Sequence, residues 1–198
     1  MNFNLDKKMK PYIFGIFLII SITIIVAVSI MAGRNNYGME GDEVFSYISA
    51  TSMGGFKKVC FLEDQTWYDA SYFSEALTAT GRERFNIKMV ADNQAMDTHP
   101  PLYYIFLNFV CSSIGDGKFS PWYGIGLNIV FGLAVFGGLY LLLQYFLQNK
   151  YLALVFSTIF CCSELAVNMV LFIRMYVLLT ALVLFQTWFG PMSRFSTS

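Results

Sequence analysis

The sequence predicts an all-α integral membrane protein, on three observations. The chain has 198 residues, 56% of them hydrophobic, with 20 Phe and 12 Tyr but only 13% charged. Its first long apolar run, PYIFGIFLIISITIIVAVSIM, carries no charge for about 20 residues, the length needed to cross a hydrocarbon layer of roughly 30 Å. Set against such runs is one polar segment, 33–99, which holds 10 of the 13 acidic residues.

The N-terminal MNFNLDKKMK has the positive charge of a signal sequence, but the run behind it is too long and lacks a clean small-x-small cleavage site. A retained anchor at 12–32 is expected, with Lys7, Lys8 and Lys10 holding residues 1–11 in the cytoplasm. Residues 33–99 then form an extracytoplasmic loop. Inside it, 40–53 reads as a short amphipathic helix with Glu43, Tyr47 and Ala50 on one side and Gly54-Gly55 as its stop. Residues 66–80 read as a second, with Trp67, Tyr68, Tyr72, Phe73 and Leu77 as an aromatic face and Gly81 as C-cap.

Pro100-Pro101 suit the first turn of a short helix over 100–115, transmembrane or juxtamembrane, because that turn needs no amide donors. Spans are expected at 120–147, 150–166 and 171–190, followed by a tail at 191–198. The glycines at 124, 126, 132, 137 and 138 would allow close helix contact. If 101–114 does not cross, Lys150 and Arg194 lie inside, and Asp42, His99, Glu164 and Arg174 collect at the opposite membrane face.

Composition also excludes. Formal net charge is zero, from 13 basic and 13 acidic residues, and no basic stripe is available to grip a phosphodiester backbone. Cys60, Cys111, Cys161 and Cys162 show no zinc spacing.

The residues with chemical potential lie at the ends of the loop and beyond. Asp42 and Glu43 could be an acidic helix start, or a carboxylate that takes a proton from a hydroxyl or holds a divalent cation. Consecutive helical residues point about 100° apart, so the two should not serve one atom. His99, the only histidine, stands two residues after Asp97 and directly before Pro100-Pro101. Arg174 interrupts VLFIRMYVLL and should face a polar cavity, an anion or an interface, or snorkel at a helix end. Phosphate suits its forked donors, and Glu164 could pair with it across a short loop. Lys57, Lys58, Arg82 and Arg84 read as solvated charges.

A first span, GDE (41–43), DTHPPLYY (97–104) and FIRMY (172–176), in that order, resemble the multispan transferases that use polyprenyl- or dolichyl-phosphate sugars. These are the protein mannosyltransferase and aminoarabinose transferase type of glycosyltransferase family 39, with the GT-C fold. The resemblance implies transfer of a sugar from a polyprenyl-phosphate carrier to an acceptor glycan, lipid or protein, on the extracytoplasmic side of a bacterial plasma membrane. It implies Asp42 as general base and Glu43 in support. Asp97 and His99 would orient acceptor or carrier, or bind a divalent metal cation, and Arg174 would stabilise phosphate or organise the first loop; Glu164 joins the candidate phosphate-binding residues from its position ten residues earlier, not from the resemblance. Such enzymes are usually far longer, so the resemblance covers their N-terminal portion only: a truncated product or a natural short form, active alone or dependent on a partner that supplies the missing spans. The alternative is a non-catalytic membrane fragment or an accessory subunit using the loop for protein contacts. A transporter fits less well, since the acidic residues cluster outside the spans.

Overall fold

The computed structural model describes residues 10–35, 38–55, 57–60, 66–115 and 117–192, all helix, turn or link with no strand among them. Lys7, Lys8, Arg194 and most of the tail at 191–198 lie outside the described residues. The chain divides into two compact units. One comprises Met1–Asn36, Ile129–Leu171 and Val177–Ser198; the other comprises Tyr37–Asn128 and Phe172–Tyr176.

The first unit holds the apolar helices. Helix α1 (Lys10–Arg34) is hydrophobic all round and leaves Ile16, Ile19 and Met31 exposed, as a lipid-facing helix should. Two of its hydroxyls are satisfied within the helix: Thr23 donates to the Ile19 carbonyl and Ser29 to that of Ile25, which spares the hydrocarbon those polar groups. Helix α7 (Pro121–Leu147) is the second element long and apolar enough to cross, and it starts in the other unit. These two helices make the chain an integral membrane protein.

The expected span at 150–166 is broken. Helix α8 (Lys150–Cys161), capped by the Asn149 side chain, ends at Cys161, and α9 (Glu164–Leu171) restarts at an angle of 59°. The Ser163 side chain supplies an acceptor for the Ala166 amide at the restart, so the break is capped locally. Helix α10 (Tyr176–Thr187) begins at Tyr176 rather than at 171, and a distorted turn over Trp188–Met192 follows. Ile25, Phe136, Leu154 and Cys161 form one core cluster of this unit; Val135, Val170, Val177 and Ala181 form another. The Lys150 ammonium lies 4.9 Å from the Phe14 ring centroid, a cation–π contact near the helix end.

The second unit is a small helical domain. Its elements are α2 (Gly41–Thr51), α3 (Lys57–Cys60), α4 (Ala70–Ala76), α5 (Ile87–Gln94) and α6 (Leu102–Ile114), with a 3₁₀ turn at Gly81–Glu83. Two expectations need correction. The helix expected at 66–80 covers only Ala70–Ala76, because Asp69 accepts from the Ser71 amide and sets the start there. Trp67 stays fully exposed outside it. Gly81 is no C-cap: the helix ends at Leu77, and Gly81, at φ +46°, opens the 3₁₀ turn instead.

Helix α6 has 13 residues, roughly 20 Å of rise, too short to cross alone. It packs instead on α2 and α5, burying Tyr103, Tyr104 and Leu107 completely. Its Asn108 amide donates to the Ala50 carbonyl at 2.7 Å and to that of Glu83 at 3.0 Å. Asn93 on α5 donates to the carbonyls of Ser49 and Ser52, so two side-chain amides satisfy the carbonyls left over at the end of α2.

Candidate functional site

The site grows from the start of α2. Glu40 is its N-cap: its carbonyl accepts from the Glu43 amide at 3.0 Å, and Glu43 supplies the reach-back half of a capping box, Oε2 accepting from the Glu40 amide at 2.8 Å. The other oxygen of Glu43, Oε1, accepts from the Ile173 amide at 2.9 Å in a buried contact spanning 130 residues of sequence. Glu43 is 3% exposed, with both oxygens spent on backbone amides. It is a tie between two segments, and its neighbour Asp42 faces elsewhere.

The segment it ties is the irregular link before α10. Phe172, Ile173 and Arg174 lie outside any helix. The Asn128 amide donates to the Phe172 carbonyl at 2.8 Å. Ile173, 1% exposed, packs against Gly124, where a Cβ would come within 2.4 Å of Ile173 Cγ2. Tyr47 completes the support: its hydroxyl donates to the Ser120 carbonyl and accepts from the Gly124 amide, both at 2.8 Å. Burial, the largest effect on it, pushes its phenol well above the ordinary range, so it stays neutral.

Pinned this way, Arg174 reaches Asp42. Nη2 lies 2.9 Å from Asp42 Oδ2, and Nη1 is 3.4 Å from the Tyr104 hydroxyl. The Arg174 side chain is 9% exposed and that of Asp42 54%, so the pair is a buried cation with a carboxylate at the surface. Arg174 Nε is buried without a hydrogen-bond partner. Burial works against the guanidinium charge, but the Tyr104 and Asp42 interactions outweigh it and hold Arg174 above its ordinary pKa.

Asp97 and His99 form a second pair in the same unit. Asp97 Oδ2 is 3.0 Å from His99 Nδ1, and Oδ1 accepts from the Thr98 amide at 2.7 Å. Burial raises the Asp97 pKa, but the hydrogen bonds from His99 and Thr98 and the charges of His99 and Arg174 bring it below the ordinary value. The Arg174 charge therefore acts on both carboxylates. Glu164 belongs to the other unit, exposed at the start of α9, where a negative charge suits the helix dipole. The ion-pair partner of Arg174 is Asp42, across 132 positions that no local spacing could reveal. Arg84, expected as a solvated charge, instead donates through Nη2 to the Ser112 carbonyl.

The donor set does not fit a metal ion. Among the described residues no three His, Cys, Asp or Glu side chains converge. Asp97 and His99 spend their facing atoms on each other, which leaves too few donors for an oxygen-rich or tetrahedral site. A cavity of about 430 Å³ in this unit is lined by Met53, Lys57, Met89, Asp92, Asn93 and Met96, among others. None of Asp42, Asp97, His99 or Arg174 lines it, so it is separate from the charged cluster. Compared with family models, curated proteins and solved structures, the chain matches none.

Proposed function

We propose that this integral membrane protein is a sugar transferase of the GT-C kind, moving a sugar from a polyprenyl-phosphate carrier to an acceptor hydroxyl at the extracytoplasmic surface. The observation that carries the reading is Arg174: a buried guanidinium on a pinned, non-helical link, with a free Nε and a half-exposed carboxylate as its ion-pair partner. Two apolar helices of membrane length would keep the chain where such a carrier resides. A buried cation whose counter-ion can yield to another anion is suited to a phosphate ester. In the transfer, the acceptor oxygen bonds to the anomeric carbon while the bond from that carbon to the phosphate oxygen breaks. The departing phosphate gains negative charge, which Arg174 neutralises, and the acceptor proton passes to a base of the same cluster.

One observation favours a second reading, a non-catalytic interaction subunit. Asp42 is paired with Arg174, and both oxygens of Glu43 hold backbone amides, so the GDE carboxylates already have structural employment. The test is transfer in proteoliposomes, incubating the chain with extracted lipid-phosphosugars and following loss of sugar from the carrier. Transfer that disappears in Arg174→Ala while the protein remains folded and inserted is the expected result. Absence of transfer by the folded wild-type chain across the extracted carriers favours the interaction subunit.

A further inference from the structure

We infer that Asp97 and His99 form the proton-accepting pair of this site, with His99 Nε2, rather than Asp42, as the general base. The inference rests on the transferase reading and deepens it. A carboxylate only accepts hydrogen bonds, and Asp97 Oδ2 lies 3.0 Å from His99 Nδ1. In the neutral imidazole the proton must therefore sit on Nδ1, which leaves the lone pair on Nε2.

Asp97 is itself held. Its Oδ1 accepts from the Thr98 amide, and its own amide donates to the Gln94 carbonyl at 3.0 Å, closing the turn that ends α5. Pro100 and Pro101 follow and lead straight into α6, which restricts the backbone on the other side of His99. Nε2 has no partner among the described residues, and the imidazole is 22% exposed, open enough to meet a substrate and fixed enough to aim at it.

The charged surroundings separate the two candidate bases. Asp97 faces His99 on its own turn; Arg174, from the link before α10, acts on Asp97; Asp42 on α2 is paired with Arg174; and Tyr104 on α6 bonds to Arg174. Asp42 Oδ2 is taken up by Arg174 Nη2 at 2.9 Å, so that oxygen already has a partner. On His99 the carboxylate takes Nδ1 and leaves Nε2 to accept. In the step, the acceptor O–H bond breaks and its proton bonds to Nε2. The acceptor oxygen forms the new bond to the anomeric carbon, and the electron pair of the old bond leaves with the carrier phosphate. The resulting imidazolium is stabilised by Asp97 and returns its proton to water.

The test uses the full chain in proteoliposomes with two readouts. Because His99 is the only histidine, carbethoxylation by diethyl pyrocarbonate followed by mass spectrometry reports on it alone. Expected are slower carbethoxylation in Asp97→Asn than in wild type, and transfer from extracted lipid-phosphosugars lowered about 10²–10⁴-fold in His99→Gln. Binding of polyprenyl phosphate should be retained in His99→Gln, which also shows that the variant is folded. The acid limb of the pH–rate profile should persist in Asp42→Asn and vanish from the residual activity of His99→Gln. Transfer at the wild-type rate in His99→Gln, or unchanged carbethoxylation in Asp97→Asn, overturns the pair as the base while the transferase reading stands. No transfer by the wild type overturns the transferase reading and, with it, this assignment.

Discussion

Replacing Glu43 removes the tie between α2 and the link that carries Arg174, and its cost can be worked from the contacts. In Glu43→Ala the Ile173 amide loses its acceptor in a place that is 1% exposed, and the Glu40 amide loses the other half of the capping box. A buried donor left unsatisfied costs about 1–3 kcal/mol, and a lost capping interaction about 1 kcal/mol, so the sum is about 2–4 kcal/mol. For a chain of this length each 1 kcal/mol shifts the melting temperature by about 2–4 °C, which places the variant roughly 5–15 °C below wild type. Glu43→Gln keeps one accepting oxygen but turns an NH₂ toward one of the two donors, so it should fall between. The assay is thermal unfolding in detergent, paired with amide exchange at Ile173. If Glu43→Ala melts with wild type and the Ile173 amide stays protected, Glu43 is not what pins the link, and the account of how Arg174 is positioned fails.

Other consequences follow from the same unit. Gly124→Ala would put a Cβ 2.4 Å from Ile173 Cγ2 and should cost about 1–3 kcal/mol by overpacking. Gly126→Ala, with open space at its Cβ, should melt no lower than wild type in the same unfolding assay. Asn108→Ala deprives the Ala50 and Glu83 carbonyls of their shared donor and should cost about 2–3 kcal/mol by denaturant titration. The Asp97 pKa is lowered from 3.8, so its stabilising contribution is complete above that pH and is lost as pH falls through the lower folded value. Asp97→Asn should flatten that acid-side loss, read as melting temperature against pH.

The readable parts of the sequence were those whose cause is local. Helices α1 and α7 are long, apolar and unbroken, so composition alone marks them. The Asp97–His99 contact spans two residues beside a proline pair, and proximity was visible from spacing. Helix α5 escaped because IKMVADNQ is short and mixed, and its start is set by Asn86 accepting from the Met89 amide. The break after Cys161 escaped because neither glycine nor proline marks it; the Ser163 cap does that work instead. FIRMY reads as a continuing helix, yet the Ile173 amide is taken by Glu43 and the Phe172 carbonyl by Asn128, 130 and 44 residues away. Those distant partners override helix propensity there. The same distance hid the Arg174–Asp42 pair and made Glu164, nearer in sequence, the apparent partner.

The account turns on Arg174 as a receptor for the carrier's phosphate, and equilibrium binding of polyprenyl phosphate tests this most directly. The titration would use wild type and Arg174→Ala in detergent or nanodiscs, with the polyprenyl alcohol as control. Saturable binding of the phosphate, weakened about 10- to 100-fold by Arg174→Ala and absent for the alcohol at matched concentration, is the predicted result. Equal affinity of the two proteins for the phosphate, or equal binding of phosphate and alcohol, would contradict it.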